Sequence, residues 1–372
     1  MFDPGFTTLE MGAAFAPSSR VSALMRFEAA LALALADVGI VDEEAAGAVA
    51  EACAQPAADP DAVLAGTWTE GTPLIPLLAE IRGRLSESDA RWAHFGATSQ
   101  DAVDTAMMLQ AAAGLEILEH RLTDLARLIA PMVDEYRDQP HVGRTFLQHA
   151  RPTTFGVRLA GWLEPVLRHV AELRETRAAL VVQLGGPVGD LAGYGDRGVE
   201  VMAALARRLD LKTPDLPWHT DRSRVSAMVS AIERPARTMA KIAVDVALLN
   251  QSEIAEIRVR GGGSSSMTEK RNPIGAIRAV AAAEACSAAA GIVTSGRPHE
   301  LDRAVGGWHA EWLAIPLVFQ TAAAAVEGVT RCLESLEVDR DRMSAQVKDR
   351  VTPDPALIEG VLSRFDEVIG TA

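Results

Sequence analysis

A chain of 372 residues with a formal net charge of −14 lacks the basic surface that a phosphate backbone demands, which disfavours nucleic acid as a partner. Hydrophobic residues make up 48% but aromatics only 5%, and alanine fills the difference. That usage favours long, closely packed helices, because alanine has the highest helix propensity and lets backbones approach.

The first 15 residues carry no basic region ahead of an apolar run, so no signal peptide is expected. No stretch reaches about 18 uninterrupted apolar residues, so no membrane span is expected either, and a cytoplasmic location follows. Helical spacing of apolar residues predicts a helix over 21–39 and a shorter one over 73–85. Longer helices follow at 102–136, 153–184, 225–257, 274–294 and 310–336. Sustained period-two alternation and Asn-Gly turns are missing, so no strands are predicted. The fold class is all-α: an elongated bundle of long helices with smaller helical units at its ends. It divides as 1–100, 101–336 and a charged terminal unit over 337–372. Residues 280–292 are apolar nearly all round, so this helix should be covered on every side, and subunits are expected to pack helix against helix in an oligomer.

The loop GGGSSSMTEKRNP, over 261–273, carries the most chemistry. Asn272 suits an N-cap and Pro273 the first helical position. A hydroxyl-rich loop therefore runs into a helix start flanked by Lys270 and Arg271, a place to hold carboxylates while a hydroxyl moves a proton. A phosphate-cradling loop needs Gly before the lysine and Ser or Thr after it; Glu269 and Arg271 occupy those places.

Three further polar clusters interrupt the helical pattern. His94 to Asp101 offers Thr98, Ser99 and Gln100 at a helix start, as caps or as an anion-binding cup. Gly143 to Pro152 places Arg144, Gln148, His149 and Arg151 together, with His149 the candidate proton carrier. Trp218 to Arg224 holds Arg222, either a bidentate carboxylate clamp or a solvated helix start. His299, Glu300 and His309 do not form HExxH, because Arg303 stands where the second His would be; no metal is expected. Cys53, Cys286 and Cys332 form neither a metal-ligand spacing nor a disulfide pattern and read as small buried residues in a reducing compartment.

Taken together, these segments resemble the fumarase/aspartase superfamily. The signature GSSxMPxKxNP is matched by Gly263 to Pro273 with Thr268 in place of proline. TSQDAVDT (98–105) and GRTFLQHARPTTFG (143–156) match the other two superfamily regions. The resemblance covers roughly residues 15–335. Elimination enzymes of the superfamily carry His where Phe146 stands, while His149 matches a later His. Loss of the first His fits the cycloisomerase subgroup, in which a carboxylated diene closes to a lactone. A fumarate-releasing lyase and an inactive helical homologue remain open.

The resemblance implies Ser264 as the proton-transfer residue and Lys270 and Asn272 as carboxylate ligands. It implies Thr98, Ser99 and Gln100 as a second carboxylate site and His149 as hydrogen-bond partner or proton shuttle. Arg144, Arg222 and Arg271 join the candidate substrate contacts. It also implies a small polycarboxylate substrate, no cofactor, and a homotetramer whose sites are shared between subunits.

Overall fold

The computed structural model describes residues 4–263, 265–267, 269–296, 298–349 and 352–370. Helices α1 (Leu9–Ala14), α2 (Pro17–Asp37), α3 (Glu43–Ala54), α4 (Pro60–Ala65), α5 (Thr67–Glu70), α6 (Leu74–Gly83) and α7 (Glu87–Ala90) precede α8 (Ser99–Glu135). A hairpin of β1 (Pro140–Thr145) and β2 (Gln148–Thr154) leads into α9 (Phe155–Ala178) and α10 (Gly198–Leu209). Then come α11 (Ser223–Asn250), β3 (Ile257–Arg258), α12 (Ile274–Thr294), α13 (Gly307–Glu334), β4 (Glu337–Val338), α14 (Arg340–Ala345) and α15 (Ala356–Ile369). The all-α expectation holds, with short strands added.

Five long helices form the bundle, and side-chain pairs fix their directions. Trp308 meets Asp104, and Arg121 meets Glu327, so α13 runs parallel to α8. Arg222, at the start of α11, also meets Asp104, so α11 runs the same way. Arg174 pairs with Glu119, and Trp162 with Asp245, so α9 runs antiparallel. Helix α12 runs antiparallel to α13. A Cβ on Gly275 would fall 2.5 Å from the Gly328 carbonyl oxygen, and these two glycines let the backbones approach.

The bundle therefore has two ends. At one, α8, α11 and α13 begin; we call it the Thr98 end. At the other they finish, and the β1–β2 hairpin and the Gly/Ser loop lie there. Helix α8 has 37 residues, which at 1.5 Å per residue separates the ends by roughly 55 Å. One core runs along the bundle and contains Cys286 and Cys332. A second, containing Cys53, sits at the Thr98 end between α2, α3, α6, α10 and the first turns of α8. Burial pushes all three thiols up, Cys53 and Cys286 to about 12 and Cys332 to about 11.

Three local expectations are corrected. The segment 140–154 is an antiparallel hairpin pairing Arg144 with His149, not a loop running into a helix at 153. Its two-residue turn is Phe146-Leu147, both with positive φ (50° and 61°), a conformation usually signalled by Asn or Gly. Helix α11 stops at Asn250 instead of reaching 257; its C-cap Gln251 is already extended, at φ −63° and ψ 151°. The helix after the Gly/Ser loop starts at Ile274 with Pro273 in the cap position and no side-chain cap bond, so Asn272 is not its N-cap. Helices α12 and α13 are long and apolar enough to cross a membrane by length and composition, a test that the core helix of a bundle passes equally. Helix α13 is largely buried within the bundle. Helix α12 leaves Ile274, Ile277, Ala281, Ala288 and Ile292 exposed on one side, with Glu284 among them.

Candidate functional site

The Gly/Ser loop is closed at its base by reciprocal backbone bonds. Gly262 N–H donates to Asn272 O at 2.9 Å, and Asn272 N–H donates to Gly262 O at 3.0 Å. Asn272 Nδ2 reaches the Gly263 carbonyl at 3.4 Å. This clasp ties the two strands of chain that flank the loop together at Gly262 and Asn272. Ser265 and Ser266 are exposed; Ser264 and Thr268 lie outside the described residues. Lys270, Arg271 and Asn272 line an open cleft of about 1660 Å³ with Arg258, Arg260 and Arg278. Acidic residues, Glu269 and Glu337 among them, share its walls.

His149 is exposed on β2 and does not line that cleft. Its hairpin is anchored from behind by a buried carboxylate. Arg144 forks onto Glu256, with Nη1 to Oε2 at 3.0 Å and Nη2 to Oε1 at 2.5 Å. His141 sits beside them with no exposed surface. Arg158 Nε–H donates to His141 Nε2 at 2.9 Å, so the ring proton is on Nδ1, 3.5 Å from Glu256 Oε2. Burial, reinforced by the Arg158 and Arg144 charges, pushes the His141 pKa down to about 3. Arg144 was expected to meet substrate; instead it faces inward and ties the hairpin to the segment that leads into the Gly/Ser loop.

At the Thr98 end, Thr98 caps α8 and its backbone N–H donates to Asp101 Oδ2 at 2.9 Å, one half of a capping box. Ser99, the first helical residue, is half-buried beside it. Gln100 turns inward with no exposed surface. Its Nε2 donates to Asp104 Oδ2 at 3.1 Å and to the His219 carbonyl at 2.8 Å, which departs from its expected place in a substrate cup. Arg222, only 9% exposed, is engaged by Asp104 (Nη1 to Oδ2, 2.7 Å) and Glu311 (Nη2 to Oε2, 2.5 Å). Burial works against its charge, yet the two carboxylates hold its pKa above the ordinary arginine value. It is a buried ionic tie, not a clamp open to substrate.

Two pairs beside Thr98 were not singled out from the sequence. His94 Nδ1 contacts Glu28 Oε1 at 2.8 Å, and Glu28 has no exposed surface. Burial opposes the ring's charge, but the Glu28 carboxylate outweighs it and raises the His94 pKa. A glutamate within the apolar run of α2 was the available signal. His219 Nε2 meets Asp101 Oδ1 at 2.7 Å.

The structure thus brings Lys270, Arg271 and Asn272 into one cleft, with the His149 hairpin at the same end of the bundle. Thr98 and Ser99 lie at the opposite end, with α8's roughly 55 Å between. Among the described residues no cluster of three or more His, Cys, Asp and Glu is arranged to hold a metal.

A family model described as Lyase matches residues 7–287. The chain is 39% identical to the 3-carboxy-cis,cis-muconate cycloisomerase of Pseudomonas aeruginosa, over 92% of this chain and 76% of that protein. It is 36% identical to the Pseudomonas putida protein of the same name, over 92% of this chain and 83% of the relative. The crystal structure of the 3-carboxy-cis,cis-muconate lactonizing enzyme from Pseudomonas putida superposes with a TM-score of 0.87 at 36% identity, covering 93% of this chain and 79% of that one.

Proposed function

Because the chain belongs to the lyase family, we propose that it is a cycloisomerase closing 3-carboxy-cis,cis-muconate to 4-carboxymuconolactone, a step in the breakdown of aromatic compounds. The observation that carries this reading is the 39% identity to a cycloisomerase across 92% of the chain. Phe146, where elimination enzymes of the superfamily carry His, agrees with it.

In the reaction a substrate carboxylate oxygen adds to the diene and forms the lactone C–O bond. The displaced electron pair moves to the carbon next to another carboxylate, as an enediolate. That carbon then takes one proton, so the trianion becomes a lactone dianion. Fixed positive charge and aimed N–H groups lower the energy of the enediolate, and no electron transfer is involved. Ser264 is the proposed proton donor. Lys270, Arg271 and Asn272 are proposed to hold one carboxylate, with Thr98 and Ser99 holding another. His149 hydrogen-bonds substrate or returns the proton to the serine. The clasped Gly/Ser loop closes over the site and excludes water.

A site using Thr98 and Lys270 together needs more than one protomer, because the two lie at opposite ends of the bundle. We therefore propose a cytoplasmic homotetramer in which antiparallel neighbours bring one Thr98 end beside another's hairpin end. The exposed side of α12, apolar except for Glu284, supports this as a surface for a second copy.

The test is loss of diene absorbance on 3-carboxymuconate with product mass equal to substrate mass. Release of fumarate from a succinyl-nucleotide, with no action on the diene, would replace this reading with the lyase. Mixing a Ser264→Ala variant with a Thr98→Val variant, after dissociation and reassembly, should restore part of the activity. A mixture as inactive as its components would remove the shared site.

A further inference from the structure

We propose that Arg260 is a further substrate-binding residue at the hairpin end, forking onto the third carboxylate of a tricarboxylate and so setting a preference for three carboxylates over two. This assignment rests on the cycloisomerase reading for its substrate class. That substrate carries three carboxylates, and the seats at Lys270 to Asn272 and at Thr98 and Ser99 account for two of them.

The argument begins with the chain that leads into the Gly/Ser loop. From Ile257 to Arg260 burial alternates, as period two imposes on an extended segment. Ile257 and Val259 face the core, while Arg258 and Arg260 are exposed and line the cleft. The backbone here is pinned. Ile257 and Arg258 pair with Val338 and Glu337 across β3 and β4. Val259 N–H donates to Asn250 Oδ1 at 3.2 Å, and Arg260 N–H donates to Ser335 Oγ at 2.9 Å. Two residues further on, Gly262 bonds Asn272. Two residues span at most about 7 Å of chain, so Arg260 is rooted beside the seat proposed for the first carboxylate. A Cβ on Gly261 would fall 2.9 Å from Arg271 Cβ, and one on Gly262 would fall 2.6 Å from Ile274 Cγ1, so these glycines let the two arms of the loop close up.

Other arginines of the cleft are already engaged. Arg331 Nε–H donates to Glu327 Oε1 at 2.6 Å, and Arg278 Nη2 donates to the Gly5 carbonyl. Arg258 stands opposite Glu337 in the strand register. The Arg260 guanidinium has no hydrogen-bond or ion-pair partner among the described residues; only its backbone N–H is taken up, by Ser335. An arginine is a donor at every working pH, so its role requires no change of protonation. Its planar fork matches the two oxygens of a carboxylate. Glu269 and Glu337 share the cleft walls, so the cleft is not cationic throughout. A carboxylate gains most at the cation that has no counter-charge of its own, and that cation is Arg260.

The probes are tricarballylate and glutarate, non-reacting acids that differ by one carboxylate, titrated calorimetrically into the full-length protein. The wild type should bind tricarballylate more tightly. Arg260→Gln should bind tricarballylate about tenfold more weakly and glutarate less than about twofold more weakly, with an unchanged melting temperature. Arg331→Gln removes the same charge from the same cleft, but one that Glu327 already holds, and should keep the wild-type preference. The assignment would be overturned by an intact preference in Arg260→Gln, by equal weakening of both acids, by an equal loss of preference in Arg331→Gln, or by no binding of tricarballylate to the wild type. Loss of the preference in Arg260→Gln, with no turnover of the diene by the wild type, would remove the lactonising reading and keep Arg260. Turnover by the wild type with the preference intact in Arg260→Gln would do the opposite.

Discussion

At the Thr98 end, Arg222 lies in the interior with Asp104 and Glu311 on its two edges, and His219 and His94 each have a buried carboxylate behind them. At the hairpin end, Arg258, Arg260 and Lys270 stand exposed around an open cleft, while Arg144 and His141 are drawn inward, beside Glu256. The first end is pre-assembled: its polar groups are locked before any ligand arrives. The second keeps its cations in water, where a loop can move them. A subsite that fixes the orientation of a substrate gains from the first arrangement, and a lid that must open and close gains from the second.

The contrast can be broken at four places. Arg222→Met leaves Asp104 and Glu311 buried without their cation and should cost about 3–5 kcal/mol in urea unfolding. A loss below about 1 kcal/mol would mean that the Thr98 end is not pre-assembled. Ser264→Ala, at the open end, should lower turnover at least ~100-fold with an unchanged circular dichroism melt. Near-normal turnover would take the proton-transfer role away from Ser264.

The third place is His141, the closed spot within the open end. Its pKa is pushed down to about 3 from an ordinary value of ~6.5. The stability held by the neutral ring is therefore complete above pH ~6.5 and is lost as pH falls toward 3. The slope is about 1.4 kcal/mol per pH unit in that window. In His141→Gln that slope should vanish from a series of denaturant titrations between pH 6 and 5; an unaltered slope would place the titration elsewhere. The smallest effect is expected at Lys270. Lys270→Met should weaken substrate capture about tenfold and leave stability alone, since the side chain is exposed. A KM equal to that of the wild type would refute its carboxylate contact.

Long apolar periodicities were legible in the sequence. Helix α12 runs over the predicted residues, and the other long helices differ mainly at their ends. The hairpin was not legible, because Phe146 and Leu147 adopt positive φ without the residue types that normally announce it. The polar motifs could be found, but not the direction in which each side chain turns. Glu256 lies 112 residues from Arg144, and Glu311 lies 89 from Arg222. Nothing local to either arginine says that a carboxylate awaits it. Asp104, four residues from Gln100, was visible, yet helical spacing alone does not tell whether such a pair faces water or the interior.

The buried cysteines give this molecule its own reporters. Cys53 belongs to the core at the Thr98 end, while Cys286 and Cys332 belong to the core of the bundle. With their ionisation suppressed by burial, these thiols meet an alkylating reagent only when the surrounding shell opens. Timed alkylation followed by peptide mass mapping would therefore clock the breathing of each core separately, in the unmodified chain and without an added dye.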